Sequence, residues 1–160
     1  METTLPASAL ARSLDAPGDY DSPAVLLGDL TSEQANRKPV GAPYSIAEVV
    51  AHMHVWQDFI VRRARGQDAV RPEGDAADWP AATPETWPVL RADFLHGVGE
   101  FKTLLLTDDA AALTRIYGDD VTHAERLLNI ALHGAYHLGQ IALLRRELGL
   151  WPPADGDDTA

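Results

Sequence analysis

Read for the spacing of its apolar positions, the chain divides into helical stretches separated by breakers, with no strand-like alternation. The clearest stretch opens at Ser45-Ile46-Ala47-Glu48, a capping box. There the Ser hydroxyl accepts from the backbone at Glu48 and the Glu side chain reaches back. Tyr44 and Val49 flank the box as a hydrophobic staple. The helix is predicted from Ile46 to about Arg65, with Gly66 ending it. A second box, Thr122-His123-Ala124-Glu125, opens a helix that runs to Gly149. At roughly 1.5 Å per residue it should be ~39 Å long. Leu127, Ile130, Leu138 and Ile141 fall on one side of it, and Leu128, Leu132 and Leu143 on another. A helix apolar on two sides is central to its fold or also faces a partner chain.

Between these lies a third helix, predicted to start at Thr83 as cap with Pro84 at the first helical position. It continues through Trp87, Leu90, Phe94, Val98 and Phe101 to about Leu106, weakened by Gly97 and Gly99. Residues 67–82 contain Pro72, Gly74, Pro80 and several Asp and read as a loop. Its length suggests a lid or binding loop, and Trp79 is an odd residue to leave in water. Before residue 40, Ala7–Leu14 and Pro23–Leu30 read as two halves of a first helix broken at 15–19. The expected architecture is all-α, an up-and-down four-helix bundle forming a single domain over residues 1–160, with about 154–160 a flexible tail.

Composition narrows the function. A chain of 160 residues is long enough for one sizeable core, and 46% hydrophobic residues is ordinary for a globular protein. A formal net charge of −11 argues against nucleic acid or an anionic membrane as partner. With no cysteine there is no disulfide framework, thiolate ligand or protein thiol nucleophile. The N-terminus lacks the pattern of a signal peptide, and no apolar run approaches the ~20 residues of a spanning helix. A cytoplasmic protein is expected.

The candidate chemistry lies in the histidines. His133 and His137 are four residues apart on the last helix, so they share a face about one turn apart. Two imidazoles so placed can hold a metal ion if a third ligand arrives from another helix. His52 and His54 are candidates for it, about 200° apart on the wheel, so that only one points inward. The wheel favours His52, between Val49, Trp56 and Phe59, over His54, nearer Asp58 and Arg65. His96 is a candidate fourth ligand or supporting group, with a boundary position as its plainer role, and His123 reads as exposed and neutral. Gln140 follows His137 by three residues and is placed to bond a ligating imidazole or a bound water, or to make an interhelical hydrogen bond. Tyr136 points about 100° from His137 and reads as a packing residue with a bonded hydroxyl.

These segments together resemble a known family. The string His133-Gly134-Ala135-Tyr136-His137-Leu138-Gly139-Gln140-Ile141, followed by Ala142-Leu143-Leu144-Arg145-Arg146, is similar to the last helix of the DinB family, including its YfiT-like metal-dependent hydrolases. Tyr44 to Met53, with Trp56-Gln57 beyond, resembles that family's Ser-Ile…His segment. The resemblance runs from about Pro23 onward, strongest in these two segments, and departs in the N-terminal region, where Asp15–Asp21 interrupts the first helix. It implies a four-helix bundle with a divalent metal, zinc or nickel foremost, held by His52, His133 and His137. It also implies a homodimer, and in some relatives chemistry with a low-molecular-weight thiol.

A metal held by three imidazoles keeps a position for water or substrate. The expected function is that of a metal-dependent transferase or hydrolase acting on a small molecule, a low-molecular-weight thiol being one candidate. No Glu stands beside either histidine as in a His-Glu-x-x-His protease, which disfavours peptidase activity. Asp58 and Asp93, on adjacent helices, are the candidate bases. The alternative is a non-enzymatic metal-binding or stress-associated bundle with a structural or vestigial ion.

Overall fold

Ser45 and Thr122 each accept a hydrogen bond from the backbone of a Glu three residues on, and each Glu carboxylate answers the cap's own N–H. These reciprocal bonds fix where two of the long helices begin. The structure, a computed structural model, describes residues 7–14, 20–107 and 122–153, which form seven helical segments and no strand. They are α1 (Ala7–Ser13), α2 (Pro23–Gly28), α3 (Ser32–Asn36), α4 (Ile46–Ala64), α5 (Asp75–Asp78), α6 (Trp87–Leu106) and α7 (His123–Glu147). The ends of α4 and α7 fall where their glycines predict: Gly66 has φ +73° and Gly149 φ +68°, a conformation in which a Cβ is strained. The tail at 154–160 and the break at 15–19 lie outside the described residues.

The all-α expectation holds, but the chain is more finely divided than four helices. α4, α6 and α7 are the long elements; α4 packs along both α6 and α7. The place of the expected first helix is shared by α1 and α2, each of which packs on both α6 and α7. The third helix starts later than predicted. Thr83 does not cap it; Thr83 and Thr86 close a turn on each other, and the helix begins at Trp87 with Pro88 in its first turn. Trp87 is buried there, its indole N–H donating to the Leu30 carbonyl 3.3 Å away. α3 was not expected; its signal is a third capping box, Thr31 with Gln34. The loop at 67–82 contains the short α5.

The apolar core has two regions. Leu27, Ile46, Val50, Trp87, Phe94 and Ile141 fill one. Leu10, Phe59, Ile60, Phe101, Leu105 and Leu127 fill the other. Each such side chain contributes roughly 1.5–3 kcal/mol when fully buried. The two apolar sides of α7 separate as the wheel predicts. Leu127, Leu138 and Ile141 are buried, whereas Leu128, Leu132 and Leu143 are exposed. α7 from Glu125 to Glu147 also has the length and composition of a membrane span, against the expectation that no stretch would. Its inward side carries His137, the Gln140 amide and the guanidinium of Arg145, which a bundle core satisfies and lipid would not.

Two polar devices tie the helices together. Arg145 is fully buried; it donates to Leu26 O at 2.7 Å, to Asp29 Oδ2 at 2.7 Å and to Leu150 O at 2.8 Å, and lies over the Trp151 ring. It thus joins α2, α7 and the segment after α7. The second device crosses from α4 to α6. The Gln57 amide donates to Phe94 O at 3.1 Å and accepts from Val98 N at 2.9 Å. These two groups stand in the i→i−4 relation, so the amide pairs with both partners of one rung of α6. Gly97 makes room: a Cβ there would lie 2.7 Å from the Gln57 amide carbon.

Candidate metal centre

α4 presents His52 about two turns after its Ser45 cap, on the flank that faces α7. α7 presents His133 and His137 one turn apart on the face that meets α4. The three side chains converge: His133 Nε2 is 3.2 Å from His52 Nε2 and 3.1 Å from His137 Nε2. His52 and His137 are buried and His133 is partly so. Three nitrogens 2.0–2.1 Å from a tetrahedral ion would stand roughly 3.3–3.4 Å apart, close to this spacing.

The outer nitrogens decide what the inner ones can do. His52 Nδ1 lies 2.7 Å from the Asp78 carbonyl and 3.2 Å from its carboxylate. Both partners only accept, so Nδ1 carries the proton and His52 Nε2 is a bare lone pair. His137 Nδ1 lies 2.7 Å from Gln140 Oε1, with the same result. Two lone pairs therefore face the Nε2 of His133, which has one proton at most when neutral. At least one of the close N···N contacts has no hydrogen in it. A cation at the convergence point resolves this, and the donor set fits one.

Protonation of His133 does not resolve it near neutrality. His133 is pushed down from 6.5 to about 4, chiefly by burial and then by the neighbouring His137 and His52. Burial also lowers His137, against a raising contribution from Gln140. Neutral imidazole is the form that ligates.

A roof comes from the 67–82 loop. Trp79 is stacked between Tyr44 and His52, with centroid distances of 3.7 and 4.0 Å and planes within 9°. Asp78 Oδ1 accepts from the Trp56 indole at 2.6 Å, which anchors the same loop to α4. Neither Asp78 nor Trp79 was expected at the site. The available signal was a large aromatic ring in a polar, Pro-containing stretch.

The other candidates fall elsewhere. His54 points to the opposite flank of α4 and lines a surface depression with Asp58 and Arg62. His96 lines a shallow pocket with Asp93 and Glu100, apart from the convergence point, so it is no fourth ligand. Asp58 lies 3.8 Å from Arg62, and Asp93 lies in the His96 pocket; neither candidate base reaches the three imidazoles. Tyr136 is exposed rather than packed, its ring edge-on to His137 at 5.1 Å. The side chain of His123 lies outside the described residues.

An all-helical fold in which two facing helices bring three imidazole nitrogens together defines a class of helical protein with a tri-histidine centre. Within that class the family is shown by comparison with known sequences. The DinB superfamily model matches residues 21–141, a stretch that contains all three histidines, and the chain belongs to that superfamily. No curated protein and no solved structure matches the chain.

Proposed function

We propose that this protein is a divalent-metal-dependent transferase or hydrolase acting on a small molecule, with a low-molecular-weight thiol as the favoured co-substrate. One observation carries this reading: three converging Nε2 atoms, two of them fixed as lone pairs by Asp78 and Gln140. His52, His133 and His137 would hold the ion, zinc or nickel. When bound, it supplies Lewis acidity and lowers the pKa of a water or thiol toward neutrality.

The chain's own residues do the rest. Asp78 and Gln140 hold protons on Nδ1 and so keep the ring planes and lone pairs in place. Trp79 covers one face of His52 and excludes water from it. Because the chain has no cysteine, a thiol nucleophile has to come from solution. We read the protein as cytoplasmic and as a homodimer, in which the exposed Leu128, Leu132, Tyr136 and Leu143 side of α7 meets a second copy.

One observation favours a second reading, that of a non-catalytic metal-binding bundle. Asp78 is the carboxylate described at the centre, and its Oδ1 is already engaged by Trp56 and His52.

Metal analysis of the purified protein should give one ion per chain, lost in His52→Ala and in His137→Ala. Stoichiometric metal retained in either variant rejects the three-histidine centre. Incubation with several low-molecular-weight thiols and electrophiles, with and without metal, tests the chemistry. Absence of turnover with every pair supports the second reading.

A further inference from the structure

Beside the three histidines lies a chamber of about 270 Å³ between α1, α4, α6 and α7. His133 reaches its wall, next to Met53, Trp56 and Leu138. Leu10, Ile60 and Phe101 also line it. Among the described residues no Asp, Glu, Lys or Arg lines it. Besides His133, its polar side chains are Ser13, Tyr20, Gln57 and the Trp56 indole, and each donates a hydrogen bond within the protein. Ser13 Oγ donates to Leu10 O at 2.7 Å, Tyr20 to Ser13 O at 2.6 Å, and the Gln57 amide to Phe94 O at 3.1 Å.

From this lining we propose that the chamber binds an uncharged apolar group of the substrate, an alkyl chain or a single substituted aromatic ring, and leaves the reacting end at His133. The placement of that end rests on the metal-centre reading above; occupancy of the chamber does not. Size sets the upper bound. An apolar cavity of roughly 150 Å³ accepts benzene, and pockets for drug-sized ligands run to roughly 300–1,000 Å³. A chamber of 270 Å³ therefore suits one ring with a short substituent, or a chain of similar volume. Charge sets the chemistry. A carboxylate or ammonium placed inside would lose its water and find no counter-charge among these walls. The polar, charged part of any thiol partner thus stays outside, and the apolar part of the electrophile goes in.

The test uses the full chain, both metal-loaded and chelator-treated, with n-hexanol, n-butylbenzene and hexanoate as probes. Amide and methyl NMR shifts are followed at Met53, Phe94, Val98 and Leu138. The two uncharged probes should shift these signals saturably in both preparations, and to the chelator-treated protein hexanoate should bind at least about tenfold more weakly, as a charge without a partner requires. Gly134 lines the chamber, and an added Cβ there meets no atom within 4 Å, so Gly134→Leu should fold and fill the space. It should abolish the shifts, as should Ala131→Phe. Hexanoate binding the chelator-treated protein as tightly as hexanol, no shifts at all, or shifts that survive in a folded Gly134→Leu or Ala131→Phe protein would each overturn the proposal. Because the chelator-treated arm reports occupancy without metal, failure of the metal centre and failure of the chamber read out separately.

Discussion

Gln140 holds the His137 proton on Nδ1 without touching the convergence point itself. Supporting partners of this kind are typically worth about 10–100-fold in metal affinity. Gln140→Leu should weaken metal binding by that order, while Gln140→Glu, which still accepts, should retain it; competition against a chelating dye measures both. His133 gives a pH prediction. Folded, it takes up a proton near pH 4; unfolded, near 6.5. Between these values the unfolded chain binds more protons, so stability of the metal-free protein is full above pH 6.5 and falls as pH drops toward 4. His137 adds to the fall in the same sense. Glu48 and Asp29 are lowered from 4.5 and 3.8, so their contributions are lost only at more acid pH. Urea melts of metal-free protein at pH 7.5 and 5 should differ, and His133→Asn should reduce the difference; an unchanged difference would refute the assignment. The three histidines were legible in sequence because helical period places 133 with 137, the wheel favours 52 over 54, and the family resemblance joins the three. Asp78 and Trp79 were not, since a loop has no period and its contacts depend on where the chain returns.

At the scale of elements, the informative case is the α4–α6 seam. Gly97 reads in sequence as a weak point of a helix, yet it is the position that admits the Gln57 amide to the α6 backbone. Gly97→Ala should therefore destabilise the protein by roughly 1–3 kcal/mol, the usual range for overpacking, although Ala is the better helix former. In the Gln57→Ala background the same substitution should cost little or be favourable. A double-mutant cycle by denaturant unfolding checks this, and additive effects would rule out the coupling. Helix starts were legible at Ser45 and Thr122, where a capping box is purely local. The start at Trp87 was misread three residues early because Thr83 and Pro84 are good starting residues, whereas the Thr83–Thr86 turn is favoured by burial of Trp87 against Leu30. That contact spans a sequence distance no local pattern reports.

For the whole molecule, Arg145 decides how the N-terminal segments sit on α7. Arg145→Met would keep the apolar stem but leave Leu26 O buried without its donor, a loss of about 1–3 kcal/mol, and would release Asp29. Thermal melts should show it, with metal stoichiometry unchanged. The exposed side of α7 gives the prediction for assembly: Leu132→Glu should shift light-scattering mass from dimer to monomer, and a monomeric parent protein would reject the dimer. The stacking of Trp79 on His52 has a further consequence, for how filling of the centre can be seen. The indole lies 4.0 Å from a ligand ring, so its fluorescence should be quenched by an open-shell ion such as nickel and far less by zinc. Trp87 and Trp151 stay as an internal reference, and Trp79→Phe should weaken the nickel response to what Trp56 alone gives. One tryptophan in the roof then makes occupancy an optical signal, read in a cuvette during titration.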